Sequence, residues 1–175
     1  DNQRILIDAF KRMANLPGIQ VLLTTHSSYV VKKLEYNDLR IISNDRNTAQ
    51  RVIHVEENYL KYPSLNEVNY LAFRETTPEY LNELYASLHE IANTETSSTL
   101  SIAKFDAWLC SKGLKQDTEY IWDNHGKKGK TSLYTLPTCV RHKIHHPENE
   151  FNHYDDEQLK QSVLMLRNVY CQILA

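Results

Sequence analysis

The chain has 175 residues, enough for one domain or one and a half, and its 41% hydrophobic and 24% charged content is ordinary for a globular protein. A net charge of −2 excludes a globally basic nucleic-acid binder, so any such surface would be a local patch. Three distant cysteines (Cys110, Cys139, Cys171) lack metal or disulfide spacing and point to a reducing, cytoplasmic setting, and no apolar run reaches the roughly 20 residues of a membrane span.

The abrupt opening on Asp1-Asn2-Gln3-Arg4, without initiator Met or signal peptide, is expected of a fragment. Asn2 to Ala14 spaces Ile5, Leu6, Ala9, Phe10 and Met13 as one buried helical face, capped by Asp1 or Asn2 and stopped by Leu16-Pro17-Gly18. Ile19 to Thr25 is short and nearly all apolar, which predicts a buried parallel strand with neighbours on both sides. Ser27-Ser28 predicts a short helix through Leu34. Leu39 to Ile42 and Arg51 to Val55 predict a hairpin or two adjacent strands.

The character changes after Tyr62-Pro63. Pro63-Ser64-Leu65-Asn66-Glu67 predicts a capped helix with Val68, Leu71 and Phe73, and Thr77-Pro78-Glu79 opens another. The stripe of the second is Tyr80, Leu81, Leu84, Tyr85, Leu88 and Ile91, and a polar loop is expected over Asn93 to Thr99. Short helices are predicted over Leu100–Cys110 and Thr118–Trp122, and a lysine-bearing loop over Asp123–Ser132. A helix over Thr135–His145 is stopped by Pro147, and a final helix over Asp155–Ile173 buries Val163, Leu166, Val169, Tyr170 and Ile173. Tyr80 and Tyr85 are expected in the core, whereas Tyr59, Tyr62 and Tyr70 could be core or partner surface.

The most specific local feature is Val21-Leu22-Leu23-Thr24-Thr25-His26-Ser27. A strand here would deliver a polar cluster at its carboxyl end, where open α/β sheets bind ligands. A neutral imidazole there can bond a γ-phosphate or hold an attacking water. This resembles the switch region of ATP-binding-cassette and SMC-like ATPases, and Asp1-Asn2-Gln3-Arg4 resembles the stretch just after their D-loop. The resemblance implies His26 as switch residue, Asp1, Thr25 and His26 at the nucleotide, and ATP with Mg2+ held mostly by upstream residues. Without the Walker A, signature and Walker B sequences, this chain alone is not expected to hydrolyse ATP. The plainer alternative is that His26 caps the following helix.

Gly126-Lys127-Lys128-Gly129-Lys130-Thr131-Ser132 imitates a phosphate-binding loop but has Asn124 where the first glycine belongs and no strand before it, so a solvated basic loop is expected. In Arg141-His142-Lys143-Ile144-His145-His146 four residues separate Arg141 from His146, a spacing expected to bring the Arg and a His to nearly one helix face. A permanent cation beside an imidazole suits metal-independent RNA cleavage. The spacing resembles the Arg–His motif of HEPN ribonucleases. Alternatively His145 and His146 end a helix, with Arg141 paired to Glu148 or Asp155, and a zinc site from His142, His145, His146 and His153 lacks a standard ligand pattern.

Pro63 to Tyr70, Glu79 to Tyr85 and Arg141 to Asn149, together with Thr24-Thr25-His26-Ser27, make nearly the whole chain resemble the C-terminal portion of PtuA-like ATPases of Septu and retron-associated antiphage systems. His142 departs from the Asn of many relatives. The fold class expected is α/β followed by mainly α. Residues 1–62 would be the C-terminal portion of an ABC-type P-loop ATPase domain, and 63–175 a helical, in one reading HEPN-like, domain. The resemblance implies an ATPase that self-associates as a dimer or higher oligomer and controls an HNH nuclease, PtuB. In the retron version it would also engage a reverse transcriptase with its RNA–DNA. The rival readings are a ribonuclease using Arg141 and His146, and a non-catalytic scaffold.

Overall fold

A computed structural model describes residues 2–31, 33–34, 38–43, 51–54, 60 and 64–174. The chain forms two compact units, residues 1–58 with 62–75, and residues 59–61 with 76–175. It is a mixed α/β protein whose later part is mostly helical.

The first unit contains helix α1 (Asn2–Ala14), a short α2 (Ser28–Val31), strands β1 (Arg40–Ser43) and β2 (Arg51–His54), and α3 (Leu65–Phe73). β1 and β2 pair antiparallel, with Ile41 opposite Ile53. Ser64 caps α3 by accepting from the Glu67 amide at 3.0 Å. Val31, Leu39 and Val68 form a small core, joined by Leu34, Ile41, Leu71 and Phe73.

Two expectations fail here. α1 buries Ile7, whereas Ile5, Leu6 and Met13 are exposed. Ile19 to Ser27 forms neither helix nor strand, and Leu22 is 89% exposed. A strand exists only when a neighbour accepts its backbone bonds, and β1 and β2 are paired to each other. Among the described residues there is no parallel sheet and no phosphate-binding loop.

The second unit is built on α4 (Pro78–Thr96), α5 (Ile102–Ser111), α6 (Leu136–His145) and α7 (Asp156–Leu174), with a hairpin of β3 (Gln116–Asn124) and β4 (Lys127–Thr135). The Thr77 side chain accepts from the Tyr80 amide and Pro78 occupies the first turn of α4. α4 runs on through the polar stretch expected as a loop and closes at Ser97, which takes a left-handed conformation. Tyr80, Leu81, Leu84, Tyr85 and Leu88 of α4 pack with Leu159, Val163, Leu166, Val169 and Tyr170 of α7, all buried. Arg167, itself buried, donates to the Tyr80 hydroxyl at 2.6 Å.

The hairpin corrects the expected helix at Thr118–Trp122 and loop at Asp123–Ser132. Alternation puts Thr118, Tyr120 and Trp122 on one face. His125 and Gly126 both have positive φ, the geometry of a two-residue hairpin turn, and the Gly126 amide donates to Asp123 Oδ1. The pairing shifts register between Ile121 and Asp123. Gly129 lies in that stretch, where an added Cβ would come within 2.7 Å of the Trp122 carbonyl oxygen. On the outer edge of β3, the Ile121 amide donates to Asn152 Oδ1, and its carbonyl accepts from Asn149 and Asn152.

Candidate functional site on helix α6

α6 is anchored from outside. Thr135 makes no side-chain cap bond of its own. The buried carboxylate of Asp106, from α5, accepts instead from the Thr135 amide at 3.1 Å, the Thr135 hydroxyl at 2.6 Å and Gln116 Nε2 at 2.6 Å. A buried carboxylate is tolerated when its oxygens are saturated in this way.

From this anchor, helical spacing divides the polar residues between two faces. Thr138, Arg141 and His145 turn toward α4. Thr138 Oγ1 pairs with the Tyr85 hydroxyl at 3.0 Å, the Arg141 guanidinium lies 4.9 Å from the centre of the Tyr85 ring, and His145 Nε2 pairs with Asn82 Oδ1 at 3.0 Å. Tyr85 is buried, which pushes its hydroxyl up to about 12. Burial first, then the Arg141 charge and His146, lower the pKa of His145.

Cys139 and His142 turn toward the hairpin, and His146 follows His142 on that side of the helix. The Cys139 thiol donates to the Glu119 carbonyl at 3.3 Å. The His142 ring sits 5.1 to 5.5 Å from the rings of Tyr120, Trp122 and Tyr134, and its Nε2 is buried without a hydrogen-bond partner. Burial, then Arg141 and His146, hold His142 down at about 4, so the ring is neutral. His146 is 6.3 Å from His142 ring to ring, and its Nδ1 pairs with Glu148 at 3.0 Å.

Arg141 and His146 are therefore not brought to one face. Five positions along an α-helix amount to a rotation of about 140°. α6 pairs Arg141 with His145, and His142 with His146. His146 is the C-cap of α6, and Arg141 pairs with neither Glu148 nor Asp155. The four-residue spacing from Arg141 to His145 was readable in the sequence; the supporting residues Asn82, Tyr85 and Asp106 had no local signal.

The ATPase candidates lie in the first unit. Asp1 is outside the described residues. Thr25 Oγ1 accepts from the Ser27 amide at 3.0 Å, and His26 is exposed directly ahead of α2 with no hydrogen bond to its ring. Among the described residues no three His, Cys, Asp or Glu side chains converge as a metal site, and no helix is long and apolar enough to cross a membrane. Among the described residues no cysteine forms a disulfide. Comparison with protein-family models, curated proteins and solved structures finds no match.

Proposed function

We propose that this chain is the C-terminal part of a PtuA-like, ABC-type ATPase subunit whose ATP state controls a partner HNH nuclease in antiviral defence. The observation that carries the reading is the segment Ile19–Ser27. It is apolar, its Ile19, Leu22 and Leu23 are 41%, 89% and 42% exposed, and it ends in Thr24-Thr25-His26-Ser27. Apolar side chains at that exposure call for covering surface. A core sheet contributed by preceding sequence would cover them and make the segment a strand. His26 would then stand at its carboxyl end, with an exposed imidazole and no competing partner.

On this reading His26 meets the γ-phosphate and Thr25 lies beside it. Asp1 belongs to the D-loop, and residues upstream bind ATP and Mg2+. ATP held between protomers drives assembly into a dimer or higher oligomer in the cytoplasm. Residues 63–175 form the docking region for a PtuB-like nuclease and, in a retron system, for the reverse transcriptase with its RNA–DNA. The two-face geometry of α6 makes this preferable to an Arg141–His146 ribonuclease. A scaffold that turns over nothing predicts no nucleotide hydrolysis by the intact complex.

The test is His26→Ala in the full-length protein. Defence should be lost while ATP binding survives, measured as phage protection and nucleotide affinity side by side. Full protection by the variant overturns the reading.

A further inference from the structure

Arg141 is half-buried, and its charge is held against the ring of buried Tyr85, which is itself fixed through its hydroxyl to Thr138. Among the described residues the guanidinium has no carboxylate partner and no hydrogen bond, so its planar fork of N–H donors is unspent. One helical turn on, His145 stands on the same face with its ring oriented by Asn82. Its Nε2 carries the proton that goes to Asn82 Oδ1, which leaves Nδ1 to take up a second one. A fixed arginine beside an imidazole that can become a cation matches a tetrahedral oxyanion.

We propose that Arg141 and His145, oriented by Tyr85 and Asn82, form a binding site for a phosphate group. The site does not use His26 and stands apart from the ATPase reading. In the free protein burial, and then the neighbouring Arg141 charge, disfavour the protonated form of His145. A bound phosphate supplies the opposite charge that permits His145 to protonate and to donate from Nδ1. The guanidinium fork takes two phosphate oxygens and the imidazolium a third. His146 is excluded from the site because it lies on the other face of α6, held to Glu148.

The experiment titrates the full chain with inorganic phosphate while following the His145 ring signals by NMR, and separately with a labelled single-stranded oligouridylate by fluorescence anisotropy. Phosphate should shift the His145 signals. Arg141→Gln should weaken binding roughly tenfold or more, and Arg141→Lys, which keeps the charge over Tyr85 but lacks the fork, by a smaller factor. His146→Gln should leave binding unchanged. If Arg141→Gln does not fold, Arg141→Lys and His145→Gln decide. Weakened oligouridylate binding in the Arg141 variants assigns the phosphate to a nucleic-acid backbone. Weakening with inorganic phosphate alone assigns it to a free phosphate. Unchanged affinity for both probes in Arg141→Lys and His145→Gln, or His145 signals unmoved by phosphate, overturns the proposal.

Discussion

His142 is the side chain on which acid stability should turn. Its buried ring is held at about 4, against about 6.5 in an unfolded chain. Between those values the unfolded chain binds more protons than the folded one, so stability is full above about pH 6.5 and is lost as the pH falls toward 4. From pH 7.5 to pH 5 the loss from this group is about 2 kcal/mol. His145 shifts in the same direction and adds to it. His142→Phe keeps a ring among Tyr120, Trp122 and Tyr134 and should remove most of that difference in denaturant titrations at the two pH values. If the variant loses as much stability on acidification as the parent, the assignment to His142 is wrong. None of this was readable from the sequence, where His142 looked like a polar neighbour of Arg141. Its environment is made by Tyr120 and Trp122 of β3 and Tyr134 of β4, rings that only the pairing of the hairpin brings together.

At the level of elements, the helices of the second unit were legible because their signals are local. Thr77-Pro78 starts α4, the stripe from Tyr80 to Leu88 names its buried face, and Pro147 limits α6. The hairpin was missed because β4 is rich in lysine and only partly covered, so its apolar pattern is faint. The usable signals were the alternation Thr118, Tyr120, Trp122 and the His125-Gly126 turn. Gly129 holds the two strands together at their irregular point. A methyl group there would meet Trp122 backbone at 2.7 Å and Asn124 Cβ at 3.2 Å, neither of which can move aside easily. Gly129→Ala should therefore cost about 1–3 kcal/mol. Denaturant unfolding, with amide exchange across Gln116–Thr135, checks it. Undiminished stability and protection would show that the strands separate there without penalty.

For the whole molecule, the two units differ in how far each satisfies itself. Residues 76–175 contain the α4–α7 core with its fully buried tyrosines. The described core of the first unit is a handful of side chains, while Ile5, Leu6, Met13, Leu16, Ile19, Leu22 and Leu23 remain exposed. Residues 76–175 expressed alone should unfold cooperatively and give dispersed NMR spectra, and residues 1–75 alone should not. Non-cooperative unfolding of 76–175 would refute this. The strand expected at Ile19–Thr25 failed at the same scale. Its apolar composition predicts a core strand, but strand formation depends on a pairing edge that composition cannot supply, and the segment is neither strand nor buried.

Asn149 and Asn152 settle a matter of assembly. An open strand edge is an invitation to pair with another copy, and proteins prone to stack through their sheets begin there. By occupying both backbone groups of Ile121, these two amides take that place for themselves. The middle of β3 is therefore closed to an added strand and cannot be extended into a continuous intermolecular sheet.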